Sequence, residues 1–445
     1  MIKKLHFLSE YAVHYLKKYY LVIILGIAAG SLLSVESNHL VGIYQSFQTQ
    51  NSYIGVEGLY TSQSLPDDIQ GLISYGFTVN NEKNEPILSP LIAKLEIQND
   101  NHIYLFTFKD NLYWNNGQKF SSHDIDFNIP GAQITPKSIN QLEISVKDPY
   151  SPLLSLLTKP IFFKRTLVGL GSYQVSGITY QDGYVKTLTL ISITNHRQKI
   201  IYHFYSNSQD LISAFKLGEV DEITTETLDN QLGKSSDIKI TPQIATNKYI
   251  AVFLNTLRFD NKQIRQAIAY ATPKTTDKND RCLGPISPNS WAYNESIKQY
   301  NFDPAHAQEL MATSQINNLN LAVVDRKLLD LAENIKNTWQ QTFDIKVTVN
   351  ADNNQIDPNN YQAILAYGQI PADPDQYYFW HSTQSQTNIT HLNNSRIDKL
   401  LEEGRLTFDQ QARKQIYYDF QKFLLEEAPV IFIKFPTTYN ISRLK

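Results

Sequence analysis

Alternation of side chains between two faces is the strongest pattern in the chain, and it predicts strands. In residues 103–108, Tyr104, Phe106 and Phe108 fall on one face, while Ile103 and Leu105 fall on the other. A strand over 91–97 and the turn residues Asp100 and Asn101 precede them, so this stretch predicts a half-buried hairpin. Further strands are predicted over residues 53–60, 142–146, 200–204, 248–255, 319–324, 345–349 and 361–367.

Between these strands, apolar residues recur three and four positions apart, which predicts helices. Capping residues mark the helix ends. Ser208 is predicted to cap the start of one helix, which ends at Gly218. Asp303 is predicted to cap another helix, with Pro304 at its first position. Strands that alternate with helices at this spacing predict α/β lobes. One helix is marked by Leu328, Leu329, Ala332, Ile335 and Trp339, and another by Ala412, Ile416, Phe420, Phe423 and Leu424.

The N-terminal region has the pattern of a membrane anchor. Residues 1–18 carry four lysines, one glutamate and an amphipathic stripe, and residues 19–35 carry no charge. We expect a cytoplasmic amphipathic segment over 1–18 and a transmembrane signal anchor over 19–35, with the remaining chain outside the cell membrane. A cleaved signal peptide is the alternative, and a mature N-terminus near residue 36 would indicate it.

Composition narrows the function classes. A net charge of −3 and a pI near 6.4 argue against a nucleic-acid binder, which needs a basic face. Cys282 is the only cysteine, so neither an intrachain disulfide nor a cysteine-based metal site is expected. The sequence contains no His-Glu-x-x-His, Gly-x-Ser-x-Gly or phosphate-loop motif, and its ten histidines are scattered. We therefore expect no enzyme, no metal and no cofactor.

The hairpin and the turn after it carry a more specific signal. Residues 104–127 resemble the signature of the family 5 extracellular solute-binding proteins, the peptide- and nickel-binding proteins of ABC importers. Later segments resemble the same family, notably 217–221 (LGEVD), 259–271 and 284–288 (GPISP), so the resemblance covers residues 41–442. The matching residues of the first segment are Tyr104, Phe106, Phe108, Lys109, Trp114, Asn116, Gly117, Phe120, Asp124 and Phe127.

The resemblance implies an α/β fold of the periplasmic-binding-protein type, two-lobed and of type II, with an extra small subdomain. It places residues 41–60, 166–255 and 429–445 in the core of lobe I, residues 61–165 in an accessory subdomain, and residues 256–428 in lobe II. The implied function is extracytoplasmic capture of a peptide-like or other small ligand between the lobes, for delivery to the permease subunits of an ABC transporter. A membrane-tethered ligand sensor or envelope scaffold with the same fold, and an envelope hydrolase, remain alternatives.

The resemblance also suggests where a ligand is contacted. In peptide binders, an aspartate four residues before a proline resembles a clamp for the α-ammonium group. Here Pro374 has Ile370 at that position, with Asp373 next to the proline. A blocked peptide, a sugar, a lipid-like or an apolar ligand therefore stays open, and Ile370→Asp is expected to increase affinity for ordinary peptides. The candidate ligand-binding residues are Gln369, Ile370, Asp373, Asn289, Trp291, Tyr293, Tyr377 and Trp380.

Overall fold

The computed structural model describes residues 18–20, 50–229, 232–234, 236–312, 316–351 and 360–444. The expectations for residues 1–17 and 21–49, which include most of the signal anchor, lie outside these ranges. Within the described ranges, no helix combines the length and the apolar character that crossing a membrane requires.

The described residues form strands and helices in alternation. Three single turns of 3-10 helix accompany them, at Ser122–Asp124, Leu232–Lys234 and Arg326–Leu328. The strands are β1 (Gln50–Glu57), β2 (Thr78–Asn80), β3 (Pro86–Leu88), β4 (Ile92–Gln98), β5 (Ile103–Phe108), β6 (Ile125–Asp126), β7 (Ala132–Ser138), β8 (Gln141–Val146), β9 (Phe162–Phe163), β10 (Tyr173–Gln181), β11 (Tyr184–Ser192), β12 (Gln198–Tyr205), β13 (Glu222–Thr225), β14 (Ile238–Ile244), β15 (Lys248–Leu254), β16 (Asn318–Val323), β17 (Lys346–Asn350), β18 (Ala363–Gln369), β19 (Val430–Lys434) and β20 (Thr437–Arg443). The helices are α1 (Asp67–Ile73), α2 (Leu153–Leu156), α3 (Ser208–Leu217), α4 (Lys262–Ala271), α5 (Pro304–Met311), α6 (Leu329–Phe343), α7 (Tyr377–Trp380), α8 (Ser395–Leu406) and α9 (Gln410–Glu427).

Lobe I is built on a mixed sheet of seven strands in the order β10-β11-β12-β1-β13-β20-β14. Strand β1 runs parallel to β12 and β13, and the other neighbours are antiparallel. Residues of β1 alternate between the faces: Ile54 and Val56 pack with α1, and Tyr53 packs with α3. Helix α3 ends at Gly218, whose φ of 80° suits glycine.

Lobe II is built on a five-stranded sheet in the order β17-β16-β18-β15-β19. Its central strand β15 is buried on both faces, which explains its nearly continuous apolar sequence. Tyr249 and Phe253 face α8 and α9, whereas Ile250 and Val252 face α4, α5 and α6. The predicted start of α5 is confirmed, because the Asp303 side chain accepts a hydrogen bond from the His306 N–H and Pro304 follows it.

Residues 248–255 and 429–445, which the resemblance places in lobe I, are divided between the two sheets. Strands β15 and β19 are hydrogen-bonded neighbours in the lobe II sheet, and β20 alone lies in the lobe I sheet. The chain therefore crosses between lobes at residues 245–247 and again at 435–436. The Ala245 N–H donates to the Pro436 carbonyl at 3.0 Å, so the two crossings lie side by side. Two short adjacent crossings are the usual structure of a hinge.

The accessory subdomain contains a four-stranded antiparallel sheet, β4-β5-β8-β7. The faces predicted for β5 are confirmed: Tyr104, Phe106 and Phe108 are buried in its core. Trp114 is buried beside Phe120 and Phe163, with ring centroids 5.5 Å from each, and so it has a packing role.

Candidate functional site

A cavity of about 270 Å³ without charged lining residues lies beside strand β15 and the C-terminal end of strand β18. We call it the apolar chamber. A cavity of about 150 Å³ is enough for benzene, so this space suits an apolar group of side-chain size. The Trp380 ring stacks on Phe253 with centroids 6.4 Å apart, and its Nε1–H donates to Gln376 at 3.1 Å. The lining residues are Tyr249, Phe253, Tyr367, Gly368, Gln369, Phe379, Trp380, Gln386, Thr387, Ile389 and Thr390.

Gly368 shapes the wall of this chamber. It lies directly opposite Tyr249 in the antiparallel pair β15–β18. A Cβ at position 368 would overlap the Tyr249 ring, so only glycine lets this ring lie flat across the neighbouring strand.

Gly368→Ala is expected to lower the free energy of unfolding by about 1–3 kcal/mol, because it overpacks a filled site. Urea unfolding of the variant and the parent measures this change. Gly71→Ala is the matched control: no atom outside its own helix lies near that position, so the alanine should be neutral or stabilising by about 0.4–1 kcal/mol. Equal unfolding midpoints for the two variants would contradict the role of Gly368.

A second space of about 510 Å³ adjoins the apolar chamber and shares Tyr367 and Gln369 with it; we call it the charged cavity. Its walls come from both lobes: Glu57 and Glu226 from lobe I, and Lys248, Lys327 and Tyr367 from lobe II. The two cavities together form a cleft with one apolar end and one charged end, which is a typical ligand-site composition.

Hydrogen-bonded charges cross this cavity from lobe to lobe. Lys327 Nζ lies 2.8 Å from Glu57 Oε1, and the Tyr367 hydroxyl donates to Glu226 Oε2 at 2.7 Å. Lys248 also forms an ion pair with Glu226, and its ammonium lies 5.4 Å from the Tyr367 ring centroid. Direct bonds therefore join the two lobes across the charged cavity.

These hydrogen bonds and ion pairs shift the pKa values of Glu226 and Lys327. Burial alone would raise the pKa of Glu226, but the hydrogen bonds from Lys248 and Tyr367 outweigh burial and hold that pKa below its usual value. Burial likewise opposes the charge of Lys327, yet Glu57 raises the pKa of this lysine. Because the Glu226 pKa is lowered, its contribution to closure is present above the ordinary carboxylate pKa and is lost as pH falls through the lowered value.

Lys327→Met is expected to weaken closure of the lobes by about 0.2–1 kcal/mol, the usual strength of a partly exposed ion pair. Distances between one fluorescent label on each lobe would report a larger open fraction in the variant. Exchanging the charges, with Glu57→Lys and Lys327→Glu together, should restore the parent distribution. Lys336→Met, whose partner Glu333 is on the same helix, is the control. If Lys327→Met and Lys336→Met gave the same distances, the pair would have no part in closure.

A larger groove of about 730 Å³ lies elsewhere, between the accessory subdomain and strand β10 of lobe I. None of its lining residues belongs to lobe II. Closure of the lobes would therefore leave this groove unchanged, and we place the candidate site in the cleft.

Comparison with known proteins identifies the family. The sequence model of bacterial extracellular solute-binding proteins, family 5 Middle, matches residues 131–390, which is more than half of the 445 residues. The chain belongs to family 5 of the bacterial extracellular solute-binding proteins. The resemblance noted in the sequence is thereby confirmed.

Individual relatives of this family 5 protein differ in what their names say they bind. The probable di/tripeptide-binding protein 5 of Pseudomonas aeruginosa (strain UCBPP-PA14) is 25% identical over 238 residues, which is 47% of this chain and 44% of that protein. Heme-binding protein A of Haemophilus influenzae is 25% identical over 217 residues, 41% of this chain and 38% of that protein. These matches span less than half the length of either relative.

A solved structure agrees with the two-lobed fold. NikZ from Campylobacter jejuni, determined in complex with Ni(L-His), aligns with a TM-score of 0.70 at 18% identity, covering 89% of this chain and 94% of NikZ. The structural similarity to NikZ establishes the fold, and the low sequence identity leaves the ligand open. Across the ranges that the structure describes, no three His, Cys, Asp or Glu side chains are grouped to hold a metal ion.

Two of the candidate residues of this family 5 protein line the apolar chamber, namely Gln369 and Trp380. Ile370 does not: its side chain is 7% exposed and packs in the lobe II core, and its N–H donates to the Asn247 carbonyl. Asp373 is bound by the Arg413 guanidinium through both oxygens, at 2.6 and 2.9 Å. The Asp373 carboxylate is therefore paired within the protein. It also accepts a hydrogen bond from the Asp375 N–H, as expected for a turn residue.

The remaining candidates lie outside the linings of both cavities. Trp291 packs against Tyr417 and under Arg413, and Asn289 donates to the Thr246 hydroxyl. The Tyr377 ring is sandwiched by His381, at 4.0 Å between ring centroids, and by the Arg405 guanidinium, at 3.8 Å from the Tyr377 centroid. Burial raises the pKa of Tyr293, which lies in the same loop region as Cys282.

The cleft also contains residues that no sequence motif indicated. Tyr249 and Phe253 lie on the same face of β15. Their spacing along the strand predicts this shared face, but it does not predict that the face borders a cavity. Glu226 and Lys248 had no local signal, because their pairing depends on how lobe I meets lobe II.

Proposed function

We propose that this protein captures a small extracytoplasmic ligand between its lobes and delivers it to the permease subunits of an ABC importer. The observation that carries this proposal is the charged cavity, with walls from both lobes, joined to the apolar chamber through Tyr367 and Gln369. Family membership supports the same function. Closure about the crossings at 245–247 and 435–436 would bring the two walls together around the ligand.

The composition of the cleft favours a ligand with two unlike ends. An apolar group would fill the chamber, where burial of an aromatic or aliphatic side chain is worth about 1.5–3 kcal/mol. A charged or polar end would lie among Glu57, Glu226, Lys248 and Lys327, which offer partners of both signs. A peptide-like ligand has this character, and a di/tripeptide-binding protein is among the relatives.

The experiment is identification and titration of the ligand. Native mass spectrometry of the full-length protein from its own cells would identify what copurifies, and calorimetry would measure its affinity. Phe379→Ala should weaken binding about 10- to 100-fold, because it removes an aromatic wall of the chamber. Tyr378→Ala, which alters an exposed ring outside the chamber, is the control. Equal affinities for both variants would place the ligand elsewhere.

Measuring uptake of the ligand by cells distinguishes a transport function from a sensing function. If deletion of the gene abolishes uptake of the copurified ligand, the protein delivers it to an importer. If binding is demonstrated and uptake is unchanged, a membrane-tethered sensor or scaffold with this fold is the better description.

We also propose that residues 19–35 tether the protein to the cell membrane. This run carries no charge, and Lys17 and Lys18 precede it directly, which supports an orientation with the N-terminus in the cytoplasm. N-terminal sequencing of the mature protein extracted from membranes tests this proposal. The mature protein is expected to retain residues 19–35, and a start near residue 36 would contradict the tether.

A further inference from the structure

The accessory subdomain contacts lobe II through the residues that precede and begin α2. The Ser151 N–H donates to the Arg405 carbonyl at 2.8 Å, and the Ser151 hydroxyl donates to the Gly404 carbonyl at 3.0 Å. The chain enters the subdomain after β1 and leaves it before β10, and both of these strands belong to lobe I. This contact therefore joins the lobe I side of the protein to lobe II at a place separate from the hinge.

One buried carboxylate lies at the centre of this contact. The Tyr150 hydroxyl donates to Asp375 Oδ2 at 3.0 Å, and Arg405 Nε and Nη2 each lie 2.9 Å from the same oxygen. The other oxygen, Asp375 Oδ1, accepts from the Tyr377 N–H at 3.0 Å. The Asp375 side chain is 10% exposed. A single carboxylate thus joins the accessory subdomain, α8 and the first residue of α7.

Tyr150 is held by its own subdomain on the other side of this bond. Its ring packs against the accessory core, which contains Leu153 and Leu157. The Arg405 guanidinium lies 5.4 Å from the centroid of the same ring. Burial raises the pKa of Tyr150, and the charge of Asp375 raises it further, so the hydroxyl stays protonated and remains a donor at neutral pH.

Helix α7 depends on contacts at its start. It is a single turn of four residues, and so short a helix is unstable by itself. Asp375 bonds its first N–H, and the Gln376 side chain accepts from Trp380 Nε1–H at 3.1 Å and donates to the Pro285 carbonyl at 3.3 Å. Phe379 and Trp380 of this helix line the apolar chamber. A displacement of Asp375 would therefore move a wall of the chamber.

We propose that Tyr150, acting through Asp375, is a positioning residue for α7, so that the accessory subdomain sets the shape of the apolar chamber. Tyr150 lines neither the chamber nor the charged cavity, and it would act without touching the ligand. The subdomain would thereby help to select the apolar group that fits against Phe379 and Trp380. This consequence for ligand selection rests on the proposed function, whereas the positioning of α7 does not.

Amide hydrogen exchange of the full-length protein tests the positioning role. Tyr150→Phe keeps the ring and removes one hydrogen bond, so residues 376–381 should exchange about 2- to 10-fold faster than in the parent. Residues 248–254 in the lobe II core should be unchanged, because a purely global loss of stability would accelerate that strand as well. Tyr113→Phe, which removes an exposed hydroxyl of the same subdomain, is the control. Equal exchange of residues 376–381 in the two variants would overturn the proposal.

Fluorine NMR locates the effect at the chamber. The chain contains four tryptophans, and Trp380→Phe would identify the resonance of 5-fluorotryptophan at position 380. Tyr150→Phe should shift this resonance and leave that of Trp339, on the opposite face of the lobe II sheet, unchanged. An unshifted Trp380 resonance in Tyr150→Phe would overturn the proposal. Both measurements use the protein without ligand, so a negative result counts against the positioning of α7 and not against ligand capture, which the Phe379→Ala titration tests.

Discussion

Arg413→Met is expected to lower the free energy of unfolding by about 3–5 kcal/mol, the usual effect of removing one partner of a buried ion pair. The side chains of Arg413 and Asp373 are only 7% and 11% exposed, and two parallel hydrogen bonds join them. Without the guanidinium, the Asp373 carboxylate would remain buried with only the Asp375 N–H and the Ser155 hydroxyl as partners. Urea unfolding, followed by tryptophan fluorescence, measures the loss.

A second substitution separates the charge from the packing. Asp373→Asn retains the acceptor for the Asp375 N–H and removes the charge, so the double variant with Arg413→Met should recover most of the stability that Arg413→Met loses. Lys399→Met, whose side chain is mostly exposed, should change the free energy of unfolding by less than about 0.5 kcal/mol. An Arg413→Met variant as stable as the Lys399→Met control would show that this ion pair contributes nothing.

Asp373 illustrates what local sequence reveals about a side chain. An acid next to Pro374 suggests a turn, and that part was predictable, because the carboxylate does accept from the Asp375 N–H. Its main partner, Arg413, is 40 residues further along the chain and was not predictable. The ion pair itself lies within lobe II, and Asp373 also links lobe II to the accessory subdomain, because it accepts a hydrogen bond from the hydroxyl of Ser155.

Strands were predictable where one face is buried. In β5, three aromatic residues on one face indicated the core side, and the structure buries all three. In β15 the nearly continuous apolar run indicated burial on both faces, but such a run does not indicate which sheet contains the strand. That depends on pairing with β18 and β19, which lie more than a hundred residues away in the chain.

The candidate site was predictable only where a segment that resembles the family contributes to its walls. Gln369 and Trp380 lie in or near such a segment and line the apolar chamber. Tyr249 reaches the chamber through its register opposite Gly368, and Glu226 reaches the charged cavity from the other lobe. Register and lobe contacts are long-range properties, so no short motif encodes them.

Ile370→Asp is the second substitution with a large expected effect, and the structure reverses the direction expected from the sequence. Ile370 packs with Tyr249 and Trp380 in the lobe II core and lines neither cavity. An aspartate here would be a buried carboxylate in apolar surroundings, and we expect it to lower the free energy of unfolding by about 2–5 kcal/mol. Affinity for peptides should not increase, because the new carboxylate would not face the cleft.

The pH dependence of this loss identifies its cause. Burial would raise the pKa of the new carboxyl in the folded protein above about 3.9, its value in the unfolded chain. The folded state would then bind more protons than the unfolded state between these two values, so the loss should grow as pH rises through this window and shrink below it. Ile370→Asn removes the same apolar packing without a titrating group, and its loss should be independent of pH over that window. A stable Ile370→Asp variant with increased affinity for a dipeptide would instead place position 370 in the cleft, and the apolar chamber would then be only part of the ligand site.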